Sequence, residues 1–168
     1  KTLLLVFFWL SALSTNAYAN TPGEVEVGGY LREATLNGFS GNFRKLSEYR
    51  GKPLIITVWA SWCGPCQAEM ASMERLHRRF GGKQFNIIGI STDDYASAAL
   101  KFIGDSKLTF NNYLDSKLLM ENMLGANTIP LTLLVDKRGR VLQKVHGYHE
   151  WDSPESLKLI RKTFGIKM

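Results

Sequence analysis

The most informative stretch of this 168-residue chain reads LIITVWASWCGPC, from Leu54 to Cys66. Its first seven residues, 54–60, are apolar, β-branched or aromatic almost without interruption. A run of this kind predicts a strand that is buried on both faces, which is typical of a parallel sheet lying between helices. Cys63 and Cys66 are the two cysteines of the chain, and they follow this strand directly.

An amphipathic helix is predicted to begin at the cysteines. Met70, Met73, Leu76 and Phe80 recur at helical spacing until the pair Gly81-Gly82 ends the pattern. We interpret the two methionines as core residues and not as ligands, because flexible thioethers commonly fill gaps in apolar cores.

The remaining chain alternates between strand and helix patterns, in the order β-α-β-α-β-β-α when the cysteine segment is included. The further predictions are strands at 85–91, 131–135 and 141–146 and helices at 94–103 and 118–124. Asp136–Gly139 is typical of a hairpin turn. A last helix is predicted between Ser153 as its N-cap and Gly165 as its end. Strand-like pieces around Leu36 and Phe43 predict an N-terminal hairpin ahead of this order.

The first 19 residues have the pattern of a secretory signal peptide. An apolar stretch, Leu3–Leu13, follows Lys1 and precedes Ala17-Tyr18-Ala19, a small-residue cleavage pattern. We expect cleavage after Ala19, which leaves residues 20–168 as a single domain of ordinary size. The alternative is an uncleaved membrane anchor, which would also place the domain outside the cytoplasm.

Composition excludes several classes of protein. A hydrophobic content of 45% with 21% charged residues is that of a globular domain, and it argues against disorder or collagen-like repeats. The formal net charge is +6, but the basic residues are scattered and occur at most as doublets. We interpret them as solvated surface and expect no nucleic-acid partner.

Two structural explanations for the cysteine pair are weak. A disulfide between cysteines three apart contributes only about 2 kcal/mol in the chain-entropy model, because the loop it closes is so short. Zinc requires four nitrogen or sulfur ligands, and the chain adds only His77, His146 and His149, none of them at zinc-finger spacing. Copper handling by the two cysteines, with His146 as a candidate third ligand, remains an alternative.

Redox chemistry explains the pair better. The first thiol of a C-x-x-C motif that opens a helix faces unpaired backbone N–H groups and the positive end of the helix dipole, which favour the thiolate. Cys63 is therefore the expected nucleophile and Cys66 the expected resolving thiol.

The motif and its surroundings resemble the thioredoxin-fold oxidoreductases. The resemblance rests on Trp62-Cys63-Gly64-Pro65-Cys66 after a buried strand and on Thr128-Ile129-Pro130 before another, and it covers about residues 38–164. It implies an α/β fold, namely a thioredoxin-like three-layer sandwich in which a mixed sheet carries helices on both faces. The predicted hairpin would be an N-terminal extension of that fold.

Three further features resemble the exported TlpA/ResA-like thiol-disulfide reductases, a group that includes members serving cytochrome c maturation. They are Leu46–Lys52 before the strand, Trp59–Trp62 before the cysteines, and Glu69 three residues after the second cysteine. The resemblance is silent on the identity of the substrate.

The resemblance also implies roles for residues around the cysteines. Pro130 would be a cis-proline that faces the disulfide and aligns a substrate chain. Gly64 and Pro65 between the cysteines, together with Ile129, are thioredoxin-like and favour a reductant. Trp62, beside the nucleophile, is expected to be exposed enough to meet a substrate, whereas Trp59 is expected in the core.

Glu69 lies one helical turn after Cys66, close enough to accept a proton from it or to raise its pKa. In the resembling group the matching acid is linked to the redox site; the alternative is a solvated glutamate on the helix surface. The chain departs from thioredoxin at Thr57, where a buried aspartate would be expected, and this moves any acid-base role to Glu69 or water. Ala71 replaces a helix-kinking proline, so we expect a straighter helix.

These features together predict an extracytoplasmic protein thiol-disulfide oxidoreductase that reduces disulfides in substrate proteins, with apocytochrome c as one candidate. It would need no cofactor or metal beyond the redox-active disulfide Cys63–Cys66. A membrane thiol-disulfide electron donor would reduce it again, and we expect a monomer. The alternatives are a disulfide-forming oxidase and a copper-binding chaperone; a thiol peroxidase is weaker, because no recognisable peroxide-site motif surrounds the cysteines.

Overall fold

The computed structural model describes residues 22–168, so the predicted signal peptide lies outside the described residues. This part of the chain contains the strands β1 (Thr35–Gly38), β2 (Phe43–Lys45), β3 (Leu54–Trp59), β4 (Asn86–Ser91), β5 (Asn111–Leu114), β6 (Leu131–Val135) and β7 (Val141–His146). Its α-helices are α1 (Gly64–Phe80), α2 (Ala96–Asp105), α3 (Leu119–Leu124) and α4 (Pro154–Phe164). A short 3₁₀ helix, Leu46–Tyr49, lies between β2 and β3.

The strands form one mixed sheet in the order β2-β1-β5-β4-β3-β6-β7. Strand β3 pairs in parallel with β4 and antiparallel with β6, and β4 pairs in parallel with β5. All six residues of β3 are buried, as its unbroken apolar run predicts. The cysteine motif therefore follows the most enclosed strand of the sheet.

Helices cover both faces of this sheet. Alternate β3 side chains enter different clusters, with Ile56 and Val58 on one face and Ile55 and Trp59 on the other. The first cluster includes apolar residues of α3 and of the 3₁₀ helix, and the second includes those of α1, α2 and α4. The predicted thioredoxin-like three-layer arrangement is confirmed.

Most element predictions are confirmed with small shifts at the ends. The N-terminal hairpin forms as β1 and β2, which pair antiparallel, and β6 and β7 have the predicted bounds. Helix α4 is capped by Ser153, whose hydroxyl accepts from the backbone N–H of Ser156, and ends at Gly165 in the left-handed region. Helix α2 begins at Ala96 and not at Asp94, because Asp93 and Asp94 belong to the loop after β4.

Strand β5 is absent from the prediction. It occupies an interior position of the sheet, between β4 and β1, although it has only four residues and begins with two asparagines.

No helix within residues 22–168 is both long enough and apolar enough to span a membrane.

Candidate functional site

Cys63 and Cys66 form a disulfide at the start of α1. Cys63 is the N-cap residue, and its Sγ accepts a hydrogen bond from the backbone N–H of Cys66 at 3.2 Å. Gly64 and Pro65 supply the first turn of the helix, where proline is tolerated because its missing N–H would have no helical partner. The predicted helix start is confirmed.

The two sulfur positions differ in access to solvent. Cys63 keeps 6% exposure, whereas Cys66 is fully buried. Gly64 and Pro65 are exposed on the outer side of the pair. An incoming protein can therefore approach Cys63 and not Cys66.

The helix terminus favours a negative charge on the outer sulfur. The first N–H groups of a helix have no intrahelical partner and carry the positive end of the helix dipole. Since the Cys66 N–H already points at Cys63 Sγ, a thiolate formed at Cys63 on reduction would meet a donor in place.

A second loop closes the site from the β6 side. The Ile129–Pro130 peptide bond is cis, as the resemblance implies. The carbonyl oxygen of Ile129 lies 3.9 Å from Cys63 Sγ, so this loop is in contact with the outer sulfur. Pro130 itself is buried and its carbonyl accepts a hydrogen bond from Gly147 N–H at 2.9 Å.

The two tryptophans of the motif separate as predicted. Trp62 is 70% exposed beside the disulfide, whereas Trp59 is fully buried. The Trp59 indole N–H donates to Asn112 Oδ1 at 3.0 Å, which joins β3 to β5 across β4. Trp62 is therefore free to contact a partner.

Asp93 holds the segment that carries Trp62 and Cys63, a role that the sequence analysis missed. Its carboxylate accepts from the Ser61 backbone N–H at 3.0 Å, from the Ser61 hydroxyl at 2.6 Å and from the Ser91 hydroxyl at 2.8 Å. The carboxylate is buried at the end of β4, next to the loop from β3. The spacing of 32 residues left no local pattern from which this contact could be found.

Replacement of Asp93 by alanine is expected to destabilise the protein by about 2–4 kcal/mol, because it leaves the buried Ser91 hydroxyl and the partly buried Ser61 donors without an acceptor. Chemical denaturation measures the loss. Asp94→Ala is the matched control, since Asp94 is the exposed neighbour. Equal stability of the two variants would contradict the role given to Asp93.

Glu69 is fully buried, so the alternative of a solvated surface glutamate is wrong. Its Oε2 accepts from the His149 backbone N–H at 3.1 Å, and its Oε1 accepts from the Thr57 hydroxyl at 3.4 Å. Burial raises the pKa of Glu69 to about 7, against the opposing effect of hydrogen bonds from His149, Trp151 and Thr57. A group with this pKa can take up or release a proton at neutral pH.

Two further polar side chains face this carboxyl group. The Trp151 indole N–H and the Thr132 hydroxyl are buried, and both favour the charged form of Glu69 although neither makes a hydrogen bond of ordinary length. Thr57, which stands where thioredoxin would have an aspartate, lies on β3 opposite Glu69. The buried acid therefore comes from α1 and not from β3.

Helix α1 is continuous through Ala71, the position where a kinking proline was expected in related chains. Met70 and Met73 are buried in the core, as predicted.

His146 is exposed at the end of β7. Within residues 22–168, no group of three or more histidine, cysteine, aspartate or glutamate side chains is arranged to hold a metal ion.

Sequence comparison assigns the chain to a family. The sequence profile described as the AhpC/TSA family matches residues 27–144. The chain belongs to the AhpC/TSA family. It is also 30% identical over 150 residues to the thiol-disulfide oxidoreductase ResA of Geobacillus thermodenitrificans, with 88% of this chain and 86% of that protein covered.

Solved structures with a similar fold are also found. The fold is similar to that of a Chlorobium tepidum protein assigned as the thiol:disulfide interchange protein DsbE, with a TM-score of 0.76, 26% identity, and coverage of 83% of this chain and 99% of that one. It is also similar to StoA from Bacillus subtilis, with a TM-score of 0.65 at 22% identity over 77% and 96% of the two chains. This AhpC/TSA family member is a thioredoxin-like thiol-disulfide oxidoreductase.

Proposed function

We propose that this oxidoreductase acts outside the cytoplasm as a reductase of disulfides in substrate proteins. The observation that carries the proposal is the asymmetry of the cysteine pair: the sulfur at the helix N-terminus is the one that a partner can reach. A dithiol built in this way can attack a disulfide from outside and resolve the intermediate from inside. The location rests on the signal-peptide pattern of residues 1–19.

The reaction transfers two electrons from the dithiol to the substrate. The Cys63 thiolate attacks one sulfur of the substrate disulfide, the Cys63–substrate bond forms, and the other substrate sulfur leaves as a thiolate. The Cys66 thiol then loses its proton and attacks Cys63 Sγ. This releases the second substrate sulfur as a thiolate and leaves the Cys63–Cys66 disulfide, which a membrane thiol-disulfide electron donor would reduce again.

We assign Glu69 to the resolving step. It is a buried base one helical turn from Cys66, and its pKa of about 7 allows it to accept the Cys66 proton at neutral pH. Thr57 cannot take this role, because a hydroxyl group does not ionise near neutrality. Ile129, whose carbonyl lies against the outer sulfur, and Pro130, which follows it, would align the substrate chain.

The direction of electron flow can be tested by equilibrating the protein with glutathione buffers and measuring its reduction potential. A reductase should lie closer to the potential of about −270 mV found for thioredoxin than to the value of about −120 mV found for the oxidase DsbA. A potential above about −150 mV would contradict the reductase proposal and favour an oxidase.

The substrate can be tested with Cys66→Ser. This variant should attack a substrate and stop at the mixed disulfide, because the resolving thiol is missing. Mass spectrometry of the species trapped from an extract of the extracytoplasmic compartment should recover substrate peptides, with the haem-attachment cysteines of apocytochrome c as one candidate. Cys63→Ser, which should trap nothing, is the control; the absence of any cytochrome peptide would remove that substrate from the proposal.

A further inference from the structure

The loop between β7 and α4 covers the inner side of the redox site. We call residues 147–152 the covering loop. Its Gly147 N–H binds the Pro130 carbonyl at 2.9 Å, and its His149 N–H binds Glu69 Oε2 at 3.1 Å. Its Trp151 N–H binds the hydroxyl of Ser72 on α1 at 2.9 Å. One short segment therefore contacts the cis-proline, the buried acid and the cysteine helix.

Arg75 of α1 binds the solvent-facing side of this loop. Its guanidinium binds Asp152 in a bidentate manner, with Nε to Oδ2 at 2.6 Å and Nη2 to Oδ1 at 3.0 Å. The same Nη2 also binds Glu150 Oε1. Glu150 Oε2 in turn accepts from the Tyr148 hydroxyl at 2.7 Å. The outer side of the covering loop is thus held by one arginine.

The Arg75 ion pairs contribute little to the free energy of unfolding. Arg75 is half exposed, and exposed ion pairs contribute little to global stability because water and salt screen them. Bidentate pairing, however, fixes geometry, and Asp152 follows directly after Trp151 in the chain. The main effect of the Arg75 ion pairs is therefore to fix where Trp151 and His149 lie over Glu69.

The surroundings of Glu69 depend on that position. Thr57 faces it from β3, and Thr132 faces it from β6. The covering loop places three more groups near it, namely the His149 backbone, the Trp151 indole and the Tyr148 hydroxyl. Cys66 lies one turn away on its own helix. The His149 ring lies against Trp151, with 5.6 Å between ring centroids. Displacement of the loop would admit water to the carboxyl group.

We propose that Arg75 is a positioning residue: by binding Asp152 and Glu150 it keeps the covering loop closed, so that Glu69 is shielded from water and the Ile129–Pro130 segment is held beside Cys63. Arg75 touches neither the cysteines nor Glu69 and acts only through the loop. The importance of this contact for catalysis rests on the proposed reductase function.

The proposal can be tested by following the ¹³Cδ resonance of Glu69 against pH in the oxidised protein labelled at glutamate, with the signal assigned by Glu69→Gln. Glutamate labelling restricts the observed signals to glutamate carboxyl groups. In the unmodified protein we expect an inflection at about 7. In Arg75→Gln we expect it about one pH unit or more lower, because burial is the largest cause of the raised pKa and the entering water would also replace the His149 and Trp151 donors.

Three variants make the test specific. Asp105→Asn removes an ion pair with Lys101 on α2 and is the matched control, which should leave the inflection unchanged. Asp152→Asn weakens the same contact from the loop side. It should lower the Glu69 inflection in the same way, and it replaces Arg75→Gln in the test if that variant does not fold. The Glu69 inflection of Arg75→Lys should fall between those of the unmodified protein and Arg75→Gln, because lysine keeps the charge but cannot pair through a planar fork.

An inflection that stays at about 7 in folded Arg75→Gln and Asp152→Asn, with only a lower melting temperature, would overturn the proposal. The titration is made on the disulfide form and needs no turnover. If the unmodified protein fails to reduce disulfides, the proposed function fails while the titration still reports on the covering loop.

Discussion

Cys63→Ser is expected to lower the rate of protein disulfide reduction by about a thousandfold or more, because a serine hydroxyl is not ionised near neutrality and cannot form a mixed disulfide. The loss is measured as the rate at which a model protein disulfide is reduced while excess dithiothreitol regenerates the reduced oxidoreductase. Cys66→Ser, reduced first and then freed of dithiothreitol, should differ in kind: it keeps the first attack and accumulates one mixed disulfide per molecule.

The two cysteine variants therefore control for each other. They remove the same atom from neighbouring positions of one disulfide, and only their exposure and their place in the helix differ. If Cys63→Ser accumulated the mixed disulfide and Cys66→Ser did not, the roles of the two residues would be reversed.

The second large effect is expected from Glu69→Gln, as a change in how stability depends on pH. The carboxyl group has a pKa of about 7 in the folded protein against 4.5 for an ordinary glutamate. The native state therefore binds the proton more tightly, and the stability that this provides is complete below about 4.5 and lost as the pH rises through about 7. The loss amounts to about 3 kcal/mol of the free energy of unfolding.

Chemical denaturation of the oxidised protein at pH 5 and pH 8 measures this difference. The unmodified protein should lose stability between the two values, whereas Glu69→Gln should lose much less, since glutamine has no proton to release. Glu155→Gln, at an exposed position of α4, is the control and should follow the unmodified protein. A Glu69→Gln variant that also follows the unmodified protein would show that Glu69 is not held protonated by burial.

Local signals account for the parts of the fold that the sequence predicted well. The apolar run of β3, the helical spacing after Cys63 and the caps Ser153 and Gly165 each act within a few residues. They suffice for the central strand, the cysteine helix and the last helix. The start of the redox site is fixed by the same signals, because the cysteines lie where the strand ends and the helix begins.

Strand β5 could not be predicted because its determinants are distant in sequence. Asparagine is depleted in strands, yet Asn111 donates to the Tyr49 hydroxyl at 2.9 Å and Asn112 accepts from Trp59. The Trp59–Asn112 contact passes over Gly89 of β4, where a Cβ would lie 1.9 Å from Asn112 Oδ1. The partners are 53 and 62 residues away, beyond any periodic pattern.

The same limit applies to the site. The spacing from Cys66 places Glu69 one turn along the helix, but its burial comes from the covering loop about 80 residues later in the chain. Asp93 likewise reaches Ser61 only when β3 and β4 are adjacent. The cysteine pair can therefore be identified from local sequence, but the groups that hold and shield it cannot.

Alkylation of the fully reduced protein with iodoacetamide across pH 4–9, with peptide mapping to locate the modified residue, tests whether Cys63 is the ionised and accessible thiol. We expect Cys63 to react first, at a rate that follows a thiol pKa below the value of about 8.5 for an unperturbed cysteine. Modification of Cys66 first, or a Cys63 rate equal to that of an unstructured cysteine peptide at every pH, would contradict it.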